Sequence, residues 1–337
     1  MAQTAGSADS SSTSSPRSTG RSGDDAIRRA VQYGADEIIE ILPLPGHPEI
    51  LVSLDYRKSA RKPMPVFLGF LGQRERKIEE LLKDAGPATQ TLAKGALPDL
   101  SEVHQTLVDR GCALVNFVNT KPPEHPWPEG KARWVWPTPD PAGAEAFAQT
   151  AMYAPGDFAT VIDYVETRAD LRRDRIGYLG GSTTALIGYG LISKEPRITC
   201  AVLGAGSGYL TGFVEGWARN YHWKDKGFKV WKETKATLKE HDPILFVDRI
   251  YPRALLMTNG AKDWLIPIES VRHYFEALFP YYADDPARLQ LIVFEGAGHG
   301  WDPKWNTFMI LDWLDRYLIQ DTPPKPMPRP KEQPKTK

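Results

Sequence analysis

Along the second half of the chain, apolar positions come in short unbroken runs, and amphipathic stretches lie between them. RIGYLGG (175–181), ITCAVLGAG (198–206), RALLMTNG (253–260) and LQLIVFEG (289–296) are continuous apolar runs of strand length. Strands that alternate in-out have one wet face; unbroken runs belong to strands covered on both faces, as in a parallel sheet under helices. GDFATVIDYVETRAD (156–170), STTALIGYGLIS (182–193), SVRHYFEALF (270–279) and WNTFMILDWLDRYL (305–318) carry helical spacing instead. The alternation predicts an α/β layer architecture with right-handed crossovers.

The first half is less regular. EIIEILPL (37–44) and EILVSLDYR (49–57) flank Pro-Gly-His-Pro and read as a two-strand hairpin. MPVFLGF (64–70) and CALVNFV (112–118) read as buried strands. RERKIEELLKDAG (74–86) and LSEVHQTLVDRG (100–111) read as helices, the second with Ser101 as N-cap and Gly111 as stop. Two stretches are left as long loops: 119–150, rich in Pro and Trp, and 208–248, mixed and aromatic. In parallel sheets ligands bind off the carboxyl ends of the strands. Chemistry is therefore sought just after residues 70, 118, 181, 206, 260 and 296.

At those positions one segment stands out, RIGYLGGSTTALIGYG (175–190). Gly180 and Gly181 permit a sharp strand-to-helix turn, and Ser182 follows directly. A serine there projects above the sheet edge, and the unsatisfied N–H groups of the following helix point at the same space. An acyl-transfer nucleophile needs this geometry, whose usual signature is Gly-x-Ser-x-Gly. Here the last glycine is replaced by Thr184. On this segment alone, a nucleophile and a plain N-cap serve equally well; a dinucleotide loop does not, because no Gly-x-Gly-x-x-Gly opens the helix.

Two later strand ends shift that balance. Asp263 follows RALLMTNG and His299 follows LQLIVFEG, in GAKDWLIP and GAGHGWDP. Serine is a poor nucleophile near neutral pH; a histidine must take its proton, and a carboxylate must orient that histidine. Ser182, Asp263 and His299 stand at three strand ends in the order Ser–Asp–His.

With these pieces, RIGYLGGS, NGAKDWLIP and GAGHGW, the chain resembles the α/β-hydrolase superfamily over nearly all of residues 36–320. It is similar to dienelactone-hydrolase-like esterases and to the catalytic domain of prolyl-oligopeptidase-type serine peptidases. The resemblance implies a mostly parallel eight-stranded sheet flanked by helices, with an N-terminal antiparallel hairpin. It also implies Ser182, Asp263 and His299 as the triad. One oxyanion donor is then the N–H of Thr183. Relatives often carry His-Gly after the strand at 64–70, where this chain has Gly69-Phe70, so the second donor falls to the N–H of Leu71.

The two long stretches overhang such a site, and long loops are usually functional. Phe70, Trp134, Trp136, Trp217 and Trp223 are the candidate walls of an apolar pocket. Trp264 and Trp301 follow the acid and the histidine directly and are expected to shield them. His47, His104, His125, His222, His241 and His273 have no metal-ligand spacing and read as surface or loop residues. Cys112 and Cys200 lie in apolar runs and read as buried thiols, too few for a disulfide scaffold. No metal and no cofactor is expected.

Composition limits the remaining possibilities. The 337 residues carry 42 basic and 42 acidic side chains, so there is no basic excess to displace counterions from nucleic acid. No run reaches the ~18 apolar residues of a membrane span. Residues 1–25 are Ser/Thr/Gly-rich and 322–337 hold six Pro and five basic residues; both read as disordered tails around a domain over 26–321. The start lacks a charged-then-apolar signal, which favours the cytoplasm, although a secreted protein whose signal had been removed would start the same way. The expected function is cleavage of a carboxylic ester through an acyl-enzyme, with a small-molecule ester as partner and neither nucleic acid nor membrane. A peptidase or amidase would use the same triad; the few residues before the first strand, where oligopeptidases carry a large gating domain, favour the esterase. A non-catalytic binding protein on this fold is the remaining rival. Dehalogenase and epoxide-hydrolase chemistry would need an acidic nucleophile in place of Ser182.

Overall fold

The protein is described by a computed structural model over residues 29–33, 36–70, 102–119, 155–220, 236, 238–300 and 303–320. Among these residues nine strands form one sheet, in the order β1-β2-β3-β5-β4-β6-β7-β8-β9. They are β1 (Arg29–Tyr33), β2 (Glu37–Leu44), β3 (His47–Arg57), β4 (Met64–Phe70), β5 (Ala113–Asn119), β6 (Leu171–Gly181), β7 (Ile198–Gly204), β8 (Ala254–Gly260) and β9 (Leu289–Phe294). The β1/β2, β2/β3 and β3/β5 pairs are antiparallel; every pair from β5 through β4 and β6 to β9 is parallel.

The inner parallel strands are buried on both faces, whereas β9, at the edge of the sheet, is only partly covered. Val66 and Leu68 of β4 enter one apolar cluster and Phe67 the other; Tyr178 and Leu179 of β6 divide likewise, as do Leu203 and Val202 of β7. The first cluster is covered by α2 (155–167), α3 (Thr183–Lys194), α4 (Leu210–Asn220) and α5 (Ile268–Leu278). The second is covered by α1 (Glu102–Asp109) and α6 (Pro303–Leu314), which runs on into a π-helical turn, Asp315–Ile319.

Several expectations need correction. Among the described residues the sheet has nine strands where eight were expected: β1 lies outside the hairpin and pairs along β2 from Arg29↔Ile41 to Tyr33↔Glu37. RAVQY has too few apolar positions to announce itself, as an edge strand half in water commonly does. β6 begins at Leu171, because Met64 of β4 pairs with Leu171 and extends the strand backwards through polar residues. Residues 208–248 are not one long loop. Leu210, Phe213, Val214 and Trp217 fall at helical spacing and are buried as one stripe of α4. His104 is not a surface residue; it is buried on α1, its ring 5.5 Å from that of Phe67. The helix expected at 74–86 lies outside the described residues.

Both cysteines are buried free thiols, and burial pushes each pKa up to about 12. None of the described helices is long and apolar enough to cross a membrane.

Candidate active site

β6 delivers Ser182 by a turn that most residues resist. Ser182 has φ 56° and ψ −122°, a conformation that costs a non-glycine residue on the order of 1–3 kcal/mol. Local structure holds it there. The Ser182 N–H donates to Gly204 O of β7 at 2.9 Å, and Ser182 O accepts from Ala185 and Leu186 of α3 at 3.0 and 3.1 Å. Gly180 is required because a Cβ there would stand 2.6 Å from Thr184 O.

Thr184, where the usual signature has glycine, has a structural account. The Ser182 N–H faces β7, so the alternation of a parallel ladder turns the Gly181 peptide to the opposite edge. There β4 ends at Phe70, whose backbone lies opposite Gly180. The Thr184 hydroxyl takes up both loose ends: it accepts from Gly181 N–H at 2.9 Å and donates to Gly181 O at 2.9 Å. The Tyr178 hydroxyl donates to Thr184 O at 2.6 Å from below.

The side chain of Ser182 makes no capping bond to α3. Its Oγ lies 2.9 Å from His299 Nε2, and His299 Nδ1 lies 2.9 Å from Asp263 Oδ2. The Asp263 carboxylate is fully buried, and its other oxygen accepts from the N–H groups of Leu265 at 2.9 Å and Ile266 at 3.0 Å. These bonds fix the carboxylate and leave one oxygen for the imidazole.

The acid and histidine loops are stitched together. Ala261 N–H donates to Phe294 O at 3.0 Å and Lys262 N–H to Ala297 O at 2.9 Å. Gly260 makes this approach possible, since a Cβ there would overlap the backbone oxygens of Gly298 and Ala297. Asn259, fully buried, donates to Gly260 O at 3.0 Å and Ile266 O at 3.2 Å, tying both ends of the Asp263 turn. Sequence reading missed both residues, although a polar Asn ending an apolar strand was a visible signal.

Two other carboxylates, both outside the strands, are placed differently. Asp242 is buried and accepts from Leu210 N–H at 2.9 Å and Thr211 N–H at 2.8 Å, capping α4 from a distance; desolvation raises its pKa. Asp284 is exposed. Ser207, shortly after β7, is fully buried and bonded within its own turn to Tyr209.

A cavity of about 360 Å³ opens beside Ser182 and His299. Leu179, Val202 and Ile310 give it apolar walls, and Thr258 and Asn306 add polar groups. Ala205, with φ 50°, turns its chain along the wall and donates to Thr258 O at 2.8 Å. Thr258, Ala205, Asn306 and Ile310 were not singled out from the sequence; strand and helix periodicity mark them as core.

The expected pocket residues fare unevenly. Trp217, expected on a pocket wall, is buried in the core, stacked on Phe213 with centroids 6.3 Å apart, and is not among the cavity-lining residues. The helical stripe of α4 dictates that inward orientation. Trp264 is half exposed rather than packed over the acid. Thr183 opens α3, so its N–H is one of the first-turn donors with no partner inside the helix. Leu71, Trp134, Trp136, Trp223 and Trp301 lie outside the described residues. Among the described residues, no group of His, Cys, Asp and Glu could hold a metal ion.

Comparison with known proteins adds the following. The sequence model of the prolyl oligopeptidase family matches residues 148–320. A putative esterase, YitV of Bacillus subtilis (strain 168), is 31% identical over 81 residues, which cover 24% of this chain and 31% of that protein. Among solved structures, TT1662 of Thermus thermophilus superposes with TM-score 0.54 at 21% identity, over 86% of this chain and 99% of that one. An acetyl xylan esterase of Paenibacillus sp. R4 gives 0.55 at 16% identity, over 87% and 89%. A prolyl endopeptidase gives 0.56 at 15% identity, over 84% of this chain and 39% of the other. At these identities the superpositions speak for the fold.

Proposed function

The chain belongs to the prolyl oligopeptidase family of α/β-hydrolases, and from that premise we propose that it cleaves carboxylic esters through an acyl-enzyme. Family membership makes it a serine hydrolase; the ester and the named residues are our reading. The observation that carries it is the Ser182 side chain, which leaves its own helix uncapped and meets His299 Nε2 at 2.9 Å.

Ser182 attacks the ester carbonyl carbon while His299 Nε2 takes the hydroxyl proton. Asp263, on His299 Nδ1, keeps the second proton there and stabilises the imidazolium. The tetrahedral oxyanion is held by the N–H groups of Thr183 and Leu71. Such a donor is typically worth about 3–4 kcal/mol of barrier. His299 then protonates the departing alkoxide, the acyl group stays on Ser182, and His299 activates water to release the acid. The bonds from Leu265 and Ile266 hold the other Asp263 oxygen, so the carboxylate stays aimed at His299 Nδ1.

The choice of ester draws on the cavity. Its volume is at the small end for ligand sites, and apart from His299 no titratable side chain lines it among the described residues. That suits a short uncharged acyl group. The family match favours a second reading, a peptidase with the same triad.

A fluorophosphonate should label the protein once, on Ser182, and Ser182→Ala should abolish labelling and turnover. A panel of p-nitrophenyl esters of rising chain length, run beside aminoacyl anilides, separates the two readings. Turnover of acetate or butyrate esters without anilide cleavage supports the esterase. Efficient anilide cleavage transfers the assignment to a peptidase, and an unlabelled Ser182 rejects both.

A further inference from the structure

At the opposite end of the sheet from Ser182 lies a second cavity, of about 470 Å³. It is bounded by the amino ends of β6, β7, β8 and β9. Arg175 stands in β6, Arg253 immediately before β8, Arg288 immediately before β9, and Arg249 on the turn preceding β8. Seven residues of extended chain separate Arg175 from Ser182, roughly 23 Å at 3.3 Å per residue, so this cavity is no part of the hydrolytic site.

Its charge is lopsided. Four arginines line it against one carboxylate, Asp174. Asp174 is itself gripped by both arms of Arg172, at 3.1 and 2.6 Å. Arg288 is matched by Asp285 at 3.1 Å. Arg253 has no such match among the described residues. Its Nη1 donates to Arg249 O and Ile250 O and its Nη2 to Glu195 O, while its Nε is buried with no acceptor. The Glu195 carboxylate is engaged by Arg197 instead.

A guanidinium that is 7% exposed and held by carbonyls alone is a poorly compensated charge. Burial lowers the pKa of both Arg253 and Arg175, and Arg172 and Arg288 add repulsion at Arg175. A core tie to three carbonyls would explain Arg253 by itself. It would not explain three further arginines converging on the same hollow, one of them, Arg249, exposed at its rim.

We propose that this cavity binds a compact multivalent oxyanion of the phosphate class, either free or as the head of a phosphorylated small molecule. Planar guanidinium forks match such oxygens with paired, charge-assisted bonds. Arg249, exposed and stacked 4.7 Å from the Phe246 ring centroid, would swing to the anion from the rim, and the charge of the buried Arg253 would add attraction from the lining. The anion supplies the negative charge that the lining lacks and joins the amino ends of four strands.

The test is thermal melting and calorimetric titration of the full chain with inorganic phosphate, against sodium chloride at matched ionic strength. A saturable rise in Tm with phosphate, absent with chloride, is expected. Loss of one charge-assisted contact in Arg249→Ala should weaken phosphate binding about tenfold, and Arg253→Met should remove the saturable response. Phosphate also stabilises proteins generally by exclusion from their surface, but that effect grows without saturating. A non-saturating rise, an equal rise in chloride, or unchanged affinity in Arg249→Ala would overturn the proposal. Arg249 is exposed and outside the core, so that variant decides the matter even if Arg253→Met fails to fold. Competition with glycerol phosphate identifies the source: displacement of phosphate at comparable concentration assigns a phosphorylated metabolite, and no displacement assigns the free anion.

Discussion

Gly260→Ala should disable the enzyme while leaving it folded. The new methyl carbon would stand 2.5 Å from Ala297 O and closer still to Gly298 O, both backbone atoms with no rotamer to change. Carbon–oxygen contacts settle at about 3.3 Å or more, so the 297–298 backbone must retreat by about 1 Å. His299 is the next residue. It spans two hydrogen bonds of 2.9 Å, to Ser182 and to Asp263, and a displacement of that size takes one or both beyond useful length. A misplacement of about 1 Å commonly costs on the order of 10²-fold in rate. Overpacking of this kind costs roughly 1–3 kcal/mol of stability, partly offset by the smaller entropy of an alanine-containing unfolded chain. The measurements are kcat on p-nitrophenyl acetate, the rate of fluorophosphonate inactivation and a thermal melt. Gly296→Ala is the control: it lies in the same loop, and an added Cβ there meets nothing within 4 Å. A folded Gly260→Ala protein with kcat within threefold of the parent would refute the idea that this contact places His299.

Three further outcomes are expected. Asp263→Asn should fold, since the amide oxygen can still accept from Leu265 and Ile266, yet lose roughly 10⁴ in kcat through the wrong histidine tautomer; near-normal turnover would remove Asp263 from the mechanism. Thr184→Val keeps the shape but strands the Gly181 peptide, so kcat should fall several-fold with KM little changed and Thr184→Ser should restore it; equal rates in Val and Ser variants would show that the clasp is idle. Trp217→Ala should lower stability by about 3–5 kcal/mol and affect acetate and bulky esters alike, as its core position requires; a selective rise in KM for bulky esters would return Trp217 to the pocket.

The sequence determined what local periodicity can encode. Strands packed between helix layers are apolar over most of their length, so the cores of β6 to β9 were legible as apolar runs, and the helices between them as stripes. A serine, an acid and a histidine at the carboxyl ends of such strands were legible for the same reason, because a parallel sheet gathers those ends on one edge. What the tertiary structure decided was non-local. β1 becomes a strand through its pairing with β2, since its own residues carry little apolar signal. Whether the Ser182 side chain caps its own helix or meets a histidine depended on a backbone angle of φ 56° and on His299, 117 positions away. Trp217 looked like a pocket wall because composition marks aromatics without saying which way they face, whereas the stripe of α4 turns it inward. Gly260 and Thr184 had no meaning along the chain: the first is small because two other backbone oxygens pass it, and the second clasps both polar groups of Gly181 with its hydroxyl. The first requirement arises only when distant segments meet, and no pattern confined to one segment can carry it.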